Sequence, residues 1–96
     1  MINKYFKQHQ GKHVRPSIVC EDGAKFSVQA SDTHYCSPRI KEAEFYYEVE
    51  VGFPSTKEEL LMPYAEDPER PTSTVYGYVP VKIVEAVIKS HGGIKK

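Results

Sequence analysis

The segment SDTHYCSPR, residues 31–39, places a histidine and a cysteine two positions apart. Residues two apart in extended backbone point to the same side, so His34 could serve as the base for a Cys36 thiolate nucleophile. Asp32 could orient the histidine, although Ser-Asp-Thr equally suits a turn whose side chains bond the local backbone. A working pair also needs an oxyanion site, and the sequence shows none. A small enzyme is therefore the less favoured alternative.

Metal binding is the second chemistry that these residue types allow. His13, Cys20, His34 and Cys36 form a two-cysteine, two-histidine set in composition. Structural zinc sites usually use ligand pairs separated by about two to five residues, and His34 with Cys36 is the only close pair here. We therefore expect no metal and no cofactor. Cys20 is expected in the core, and both thiols are expected to be free because cytosolic reductants keep thiols reduced.

Recognition is the third chemistry, and it is the one that the pattern favours. Arginine offers a bidentate fork to phosphates or carboxylates, and tyrosine offers a flat surface for stacking. We expect Arg15 and Arg39 to contribute most to binding. The alternative is an ordinary loop in which Arg39 pairs with a surface glutamate and Tyr35 packs at the rim of the core. The predicted contact residues are His13, Arg15, Ser17, Gln29, His34, Tyr35 and Arg39.

A β-hairpin must position the first of these residues. Two extended runs, VRPSIVC (14–20) and AKFSVQA (24–30), are joined by three residues that end in Gly23. This spacing suits a type I turn with a G1 bulge, which needs a residue at positive φ. The resulting register pairs Ile18 with Phe26.

Side-chain parity predicts the two faces of this hairpin. Val14, Pro16 and Val28 fall on the apolar face, whereas Arg15 and Gln29 fall on the polar face. Pro16 cannot donate to a ladder, so the first strand is expected at a sheet edge or to be irregular there.

Alternation predicts a third strand over FYYEVEVGF, residues 45–53, and a fourth over TVYGYV, residues 74–79. In the third strand, the outward residues are expected to be Tyr46, Glu48 and Glu50. The inward residues are expected to be Phe45, Tyr47, Val49, Val51 and Phe53.

Helix signals occur in three places. STKEELLM reads as a short helix capped by Ser55 with Glu58 and closed by Pro63. Pro80 suits the first position of a helix, and the apolar stripe after it predicts that this helix ends at His91, before two glycines. INKYFKQH at the N-terminus has the spacing of a short helical turn.

These elements predict a single α+β domain over residues 1–96. It is a small twisted antiparallel sheet of three to four strands, with the C-terminal helix packed on one face and a polar opposite face.

The formal charge is zero, with 13 basic and 13 acidic residues, which argues against non-specific nucleic-acid binding. No run of apolar residues approaches the length of about 18 that a membrane-spanning helix needs. The first residues also lack the apolar run that a signal peptide needs. We therefore expect a soluble cytoplasmic protein without membrane association.

Four stretches carry a resemblance: HQGKHVRPSI, SVQAS followed by HYCSPR, VEVGFPS, and VYGYVPV with a closing HGG. They resemble a family of small bacteriophage and prophage proteins with no established activity. The resemblance implies a non-enzymatic phage accessory protein in the bacterial host cytoplasm. Such a protein would bind and inhibit a host defence component, either a defence protein or its nucleotide signal. A phage assembly component is the alternative, and the edge of the first strand would allow a homodimer by sheet extension.

Overall fold

The computed structural model describes residues 1–12 and 14–95. Its four strands form one antiparallel sheet in the order β1-β2-β3-β4, and the buried residues of both α-helices join those of the sheet in one core. The predicted α+β class is confirmed, with four strands and a C-terminal helix. The elements are α1 (Ile2–Gln8), β1 (Ile18–Val19), β2 (Lys25–Gln29), β3 (Glu48–Gly52), a 3₁₀ helix (Glu59–Tyr64), β4 (Val75–Pro80) and α2 (Val81–Ser90).

The hairpin between β1 and β2 has the predicted register. Ile18 pairs with Phe26, and both side chains are buried. The Gly23 N–H donates to the Cys20 carbonyl at 2.9 Å, and Gly23 has φ of 93°. The turn and the apolar pattern select the same register, because a slip by one residue would turn Phe26 away from the core.

Side-chain parity does not extend before Ile18. β1 has only two residues, Val14 is exposed, and Arg15 is buried, so the predicted directions of both side chains are wrong. The strand does not extend further towards the N-terminus because Pro16 has no N–H to donate to the hydrogen bonds of a sheet. In place of a strand partner, the Gln29 carboxamide bonds Arg15 at both backbone groups, accepting from its N–H and donating to its carbonyl, each at 2.8 Å.

The same limit applies to β3. Val49 and Val51 point into the core as predicted, but β3 starts at Glu48, and before it the pattern reverses. Tyr46 is buried, whereas the predicted inward residues Phe45 and Tyr47 are exposed. Phe53, also predicted inward, follows the end of β3, has φ of 51° and is exposed. The Asn3 side chain of α1 accepts from the Tyr46 N–H at 2.8 Å and donates to its carbonyl at 3.1 Å. These bonds hold the Tyr46 ring edge-on to Phe6, with centroids 5.4 Å apart.

The helices differ in how closely they follow the predictions. The segment after Pro54 forms a 3₁₀ helix that includes Pro63, and Ser55 does not cap it. Instead, the Ser55 hydroxyl accepts from the Lys25 N–H at 3.0 Å. α2 ends before His91 as predicted, and its last turn closes through the Gly93 N–H, which donates to the Ile88 carbonyl at 3.0 Å. The predicted N-terminal helical turn is α1.

The outer edge of β1 is occupied by the C-terminal segment. Cys20 forms an antiparallel bridge with Ile94, and the Lys95 N–H donates to the Val19 carbonyl at 2.8 Å. The edge that would allow a homodimer by sheet extension is therefore covered at these positions. None of the helices in residues 1–12 and 14–95 is long and apolar enough to cross a membrane.

A histidine at the end of α2 connects three distant parts of the chain. His91 Nδ1 lies 2.6 Å from Asp22 Oδ2 in the hairpin turn, and Nε2 lies 2.8 Å from Glu58 Oε2 before the 3₁₀ helix. The hydrogen bonds to Asp22 and then to Glu58 raise the pKa of His91. The pKa of Asp22 is lowered, first by the Ala24 backbone N–H and then by His91. We call these three residues the histidine clamp.

The histidine clamp predicts a pH-dependent stability. The folded-state pKa of His91 lies above its ordinary 6.5, so its contribution is fully present below that value and is lost as the pH rises through the raised pKa. The free energy of unfolding, measured in denaturant, should therefore fall as the pH rises above about 6.5. His91→Gln should flatten this dependence. Parallel curves for the two proteins would show that the clamp does not titrate in this range. The lowered pKa of Asp22 acts only at acid pH, below this window.

The hairpin register predicts the effect of one core truncation. Phe26 is 2% exposed, so Phe26→Ala should reduce the free energy of unfolding by about 3 to 5 kcal/mol through lost burial and an unfilled cavity. Phe53→Ala is the matched control, because Phe53 is exposed, and it should change stability by less than about 0.5 kcal/mol. Denaturant unfolding measures both. Equal losses in the two variants would contradict this assignment of the core.

Candidate functional site

The loop that carries the predicted chemistry leaves the sheet and returns to it. It starts after β2, and Ser37 rejoins the sheet beside β3, where its N–H donates to the Glu48 carbonyl at 3.0 Å. Within the loop, the Tyr35 N–H donates to Glu50 Oε1 at 3.1 Å. Because Glu50 alternates with the buried Val49 and Val51, this contact places the loop on the sheet face opposite the core.

A β-bulge in β4 receives this loop. Val49 pairs with Val79 and Val51 pairs with Tyr76, so β4 carries one more residue than β3 across this interval. Tyr78, within the bulge, has φ of 52°, and its N–H donates to the Tyr35 carbonyl at 3.0 Å.

Gly77 makes the close approach of the loop possible. A Cβ at this position would lie 3.2 Å from the Tyr35 Cβ, closer than ordinary contact. The absence of a side chain therefore lets the Tyr35 ring lie against the strand.

Three tyrosines surround a shallow groove on this face, which we call the tyrosine surface: Tyr35, Tyr64 and Tyr78, with Glu66 and Gly77 between them. The Tyr35 and Tyr78 rings are 6.0 Å apart, and these residues are 40% and 45% exposed. The Arg39 guanidinium lies 5.4 Å from the Tyr35 ring centre. In the described part of the chain, no carboxylate forms an ion pair with Arg39. The surface thus offers two aromatic faces and a cation to a partner.

The structure brings together only two of the predicted contact residues in this surface, Tyr35 and Arg39. The predicted exposed positions of Arg15 and Gln29 are wrong, since both are buried. The direction of Arg15 is reversed because β1 is too short to carry the predicted parity. Gln29 keeps the alternation of β2, and it is buried because its carboxamide bonds the Arg15 backbone and the Ser27 hydroxyl. Ser17 is exposed, and His34 is half-buried with its Nδ1 at 2.7 Å from the Ser31 hydroxyl. His13 lies outside the described residues.

The sequence interpretation missed Tyr64 and Tyr78. One signal for Tyr78 was present, because Gly77 interrupts a strand pattern and a strand glycine often marks a bulge or a close backbone approach. Tyr64 has no such signal. Its position follows from the 3₁₀ helix, which packs against β4.

The environment of Cys36 does not favour nucleophilic chemistry. Its side chain is buried, and its thiol donates to the Ser31 carbonyl at 3.1 Å. Burial raises the pKa of Cys36, which keeps it protonated near neutral pH, whereas reactive cysteines have a lowered pKa and partial exposure. Cys20 is likewise buried, and burial raises its pKa first, followed by the nearby Asp22. Both cysteines are free.

Metal-ligating side chains do not cluster among the residues that the structure describes. Over this part of the chain, no group of three or more histidine, cysteine, aspartate or glutamate side chains could hold a metal ion. The histidine clamp is instead closed by its own hydrogen bonds, with both ring nitrogens of His91 occupied.

The fold and the site together define a small α+β protein with an aromatic surface on one sheet face, which carries one cation, Arg39, and one carboxylate, Glu66. No protein-family model, curated protein or solved structure matches the chain. The resemblance to phage proteins stays a prediction from the sequence motifs.

The close contact at Gly77 predicts the effect of adding one methyl group. Gly77→Ala should reduce the free energy of unfolding by about 1 to 3 kcal/mol, because the new Cβ forces Tyr35 away from β4. Gly52→Ala is the matched control in β3, where a Cβ would find ordinary contacts at 3.7 and 3.8 Å, and it should not destabilise the protein. Denaturant melts compare the two. If Gly77→Ala is as stable as Gly52→Ala, the loop does not pack on β4 in solution.

Proposed function

We propose that this protein is a non-enzymatic phage accessory protein that binds and inhibits a host defence protein through the tyrosine surface. The observation that carries the proposal is the exposure of two tyrosine rings and Arg39 on a single sheet face. Tyrosine and arginine are enriched among the residues that dominate protein interfaces. The phage context and the defence partner come from the sequence motifs.

The way in which the sheet holds these residues supports a binding role. Both backbone groups of Tyr35 are hydrogen-bonded, because its N–H donates to the Glu50 carboxylate and its carbonyl accepts from the Tyr78 N–H. A surface ordered before binding loses less conformational entropy when a partner docks. Rigid rings supply contact area, and their hydroxyl groups remain able to donate hydrogen bonds.

The position of Arg39 beside the Tyr35 ring indicates the chemistry of the partner. Arg39 has no carboxylate partner in the described chain, and its guanidinium is already oriented by the Tyr35 ring. A carboxylate on the partner would form charge-assisted hydrogen bonds with it. The groove beside Gly77 would accept an apolar side chain between the rings. The partner is therefore expected to present an acidic residue next to an apolar one.

The tyrosine surface predicts the result of a paired substitution. Arg39→Ala combined with Tyr78→Ala should weaken partner binding by at least about tenfold, because it removes the cation and one aromatic face. The melting temperature should change little, because both side chains are exposed. The measurements are capture of host proteins by immobilised protein, and phage plaquing on a defended host that expresses each variant.

The matched control is Arg70→Ala combined with Tyr47→Ala, which removes the same two residue types from other exposed positions. A host protein is the partner if wild type and control capture it equally and the surface variant loses it. The control should also keep any gain in plaquing that wild type provides. If the control loses the partner and the surface variant keeps it, the interface lies around Arg70 or Tyr47. If wild type captures no such protein and never raises plaquing, the proposed function is wrong.

A further inference from the structure

Arg15 is a buried cation without an anionic partner. It is 5% exposed, and its guanidinium stacks 4.3 Å from the centre of the Phe6 ring. Its Nη1 donates to the Ala30 carbonyl at 2.6 Å, whereas its buried Nε has no hydrogen-bond partner. Among the described residues, no carboxylate forms an ion pair with it. A buried charge is costly unless it is paired, so this arrangement calls for an anion.

A cavity beside Arg15 has room for one. Its volume is about 70 Å³, several times the about 10 to 15 Å³ needed to admit a single water. Lys12 and Lys41 line it together with Arg15, and Glu42 is its one acidic lining residue in the described chain. The Glu42 carboxylate accepts from the Gly11 N–H at 2.8 Å, which partly neutralises its effect. Three cations against one carboxylate leave an excess of two positive charges around the cavity.

We propose that this cavity binds a phosphate group. A phosphate dianion matches the excess of two positive charges, and its oxygens can accept from Arg15 and from both lysines at once. Arg15 provides the buried, oriented part of the site, whereas Lys12 and Lys41 are exposed and close over the ligand from solvent. We call it the anion cavity. It shares no lining residue with the tyrosine surface and does not depend on the proposed function.

Inorganic phosphate is the first probe. Sodium phosphate should raise the melting temperature of the wild-type protein more than sodium chloride at equal ionic strength, because a ligand that binds only the folded state stabilises it. Lys12→Gln combined with Lys41→Gln should weaken phosphate binding at least about tenfold in calorimetric titration. Lys82→Gln combined with Lys89→Gln removes two exposed lysines from α2 and should leave binding unchanged. Equal effects of phosphate and chloride, or equal losses in both double variants, would overturn the proposal.

Two single variants distinguish specific phosphate binding in the anion cavity from general attraction of phosphate to positive charge. Glu42→Gln removes the opposing carboxylate and should tighten phosphate binding, because its amide oxygen can still accept from Gly11. Arg15→Met keeps the apolar contact with Phe6 and removes the charge. Without phosphate this variant should be at least as stable as wild type, since the unpaired buried charge is gone, and phosphate should no longer stabilise it. If Arg15→Met retains wild-type phosphate binding, the cavity is not the site.

The source of the phosphate group is distinguished by comparing inorganic phosphate with adenosine 5′-monophosphate. Binding of the nucleotide that is tighter by about tenfold or more indicates that the ligand is a nucleotide whose sugar and base add contacts. Equal affinities indicate that the site recognises the phosphate group alone. The Lys12 and Lys41 double variant must bind both ligands at least about tenfold more weakly than wild type, and wild-type affinity of this variant for either ligand would overturn the proposal.

Discussion

Two carboxamide side chains complete this small sheet where its strands stop. Gln29 bonds both backbone groups of Arg15, and Asn3 bonds both backbone groups of Tyr46. Each amide replaces the pair of bonds that a neighbouring strand would supply, at a place where no strand continues. Their effects meet at Phe6, because the Arg15 guanidinium stacks on this ring and the Tyr46 ring contacts its edge. The position of α1 and the burial of an arginine therefore depend on two polar side chains.

This constraint explains how far the sequence could predict the fold. Side-chain parity was reliable where a ladder exists, at Ile18 with Phe26 and at Val49 and Val51. It reversed at Arg15 and Tyr46, where a side-chain amide takes over the backbone bonding. Single glutamines and asparagines carry no pattern that marks such a role, since the same residues are usually solvent-exposed. The helix end at His91 was predictable because glycine chemistry there is local.

The candidate site could be predicted only in part for a similar reason. The sequence located Tyr35 and Arg39 in one loop, because they are close in the chain. It could not place Tyr64 and Tyr78 beside them, because that placement depends on a bulge in β4 and on the packing of the 3₁₀ helix against β4. Nor did it indicate that Cys36, within this loop, would be buried, and burial is the main cause of its raised pKa. The residue types allowed a thiol nucleophile as a less favoured alternative, whereas the packing makes Cys36 part of the support for a surface.

The pairing of Ile94 and Lys95 with the edge of β1 also has a consequence for synthesis on the ribosome. The hairpin of β1 and β2 has only local contacts and can close soon after its residues leave the exit tunnel. Its outer edge then has no partner until residues 94–95 have been made, and His91 must reach back 69 positions to Asp22. During that interval, the nascent chain presents unpaired backbone groups that other chains could engage. Pairing of this later segment with the edge of β1 thus ends the period in which that edge is unpaired.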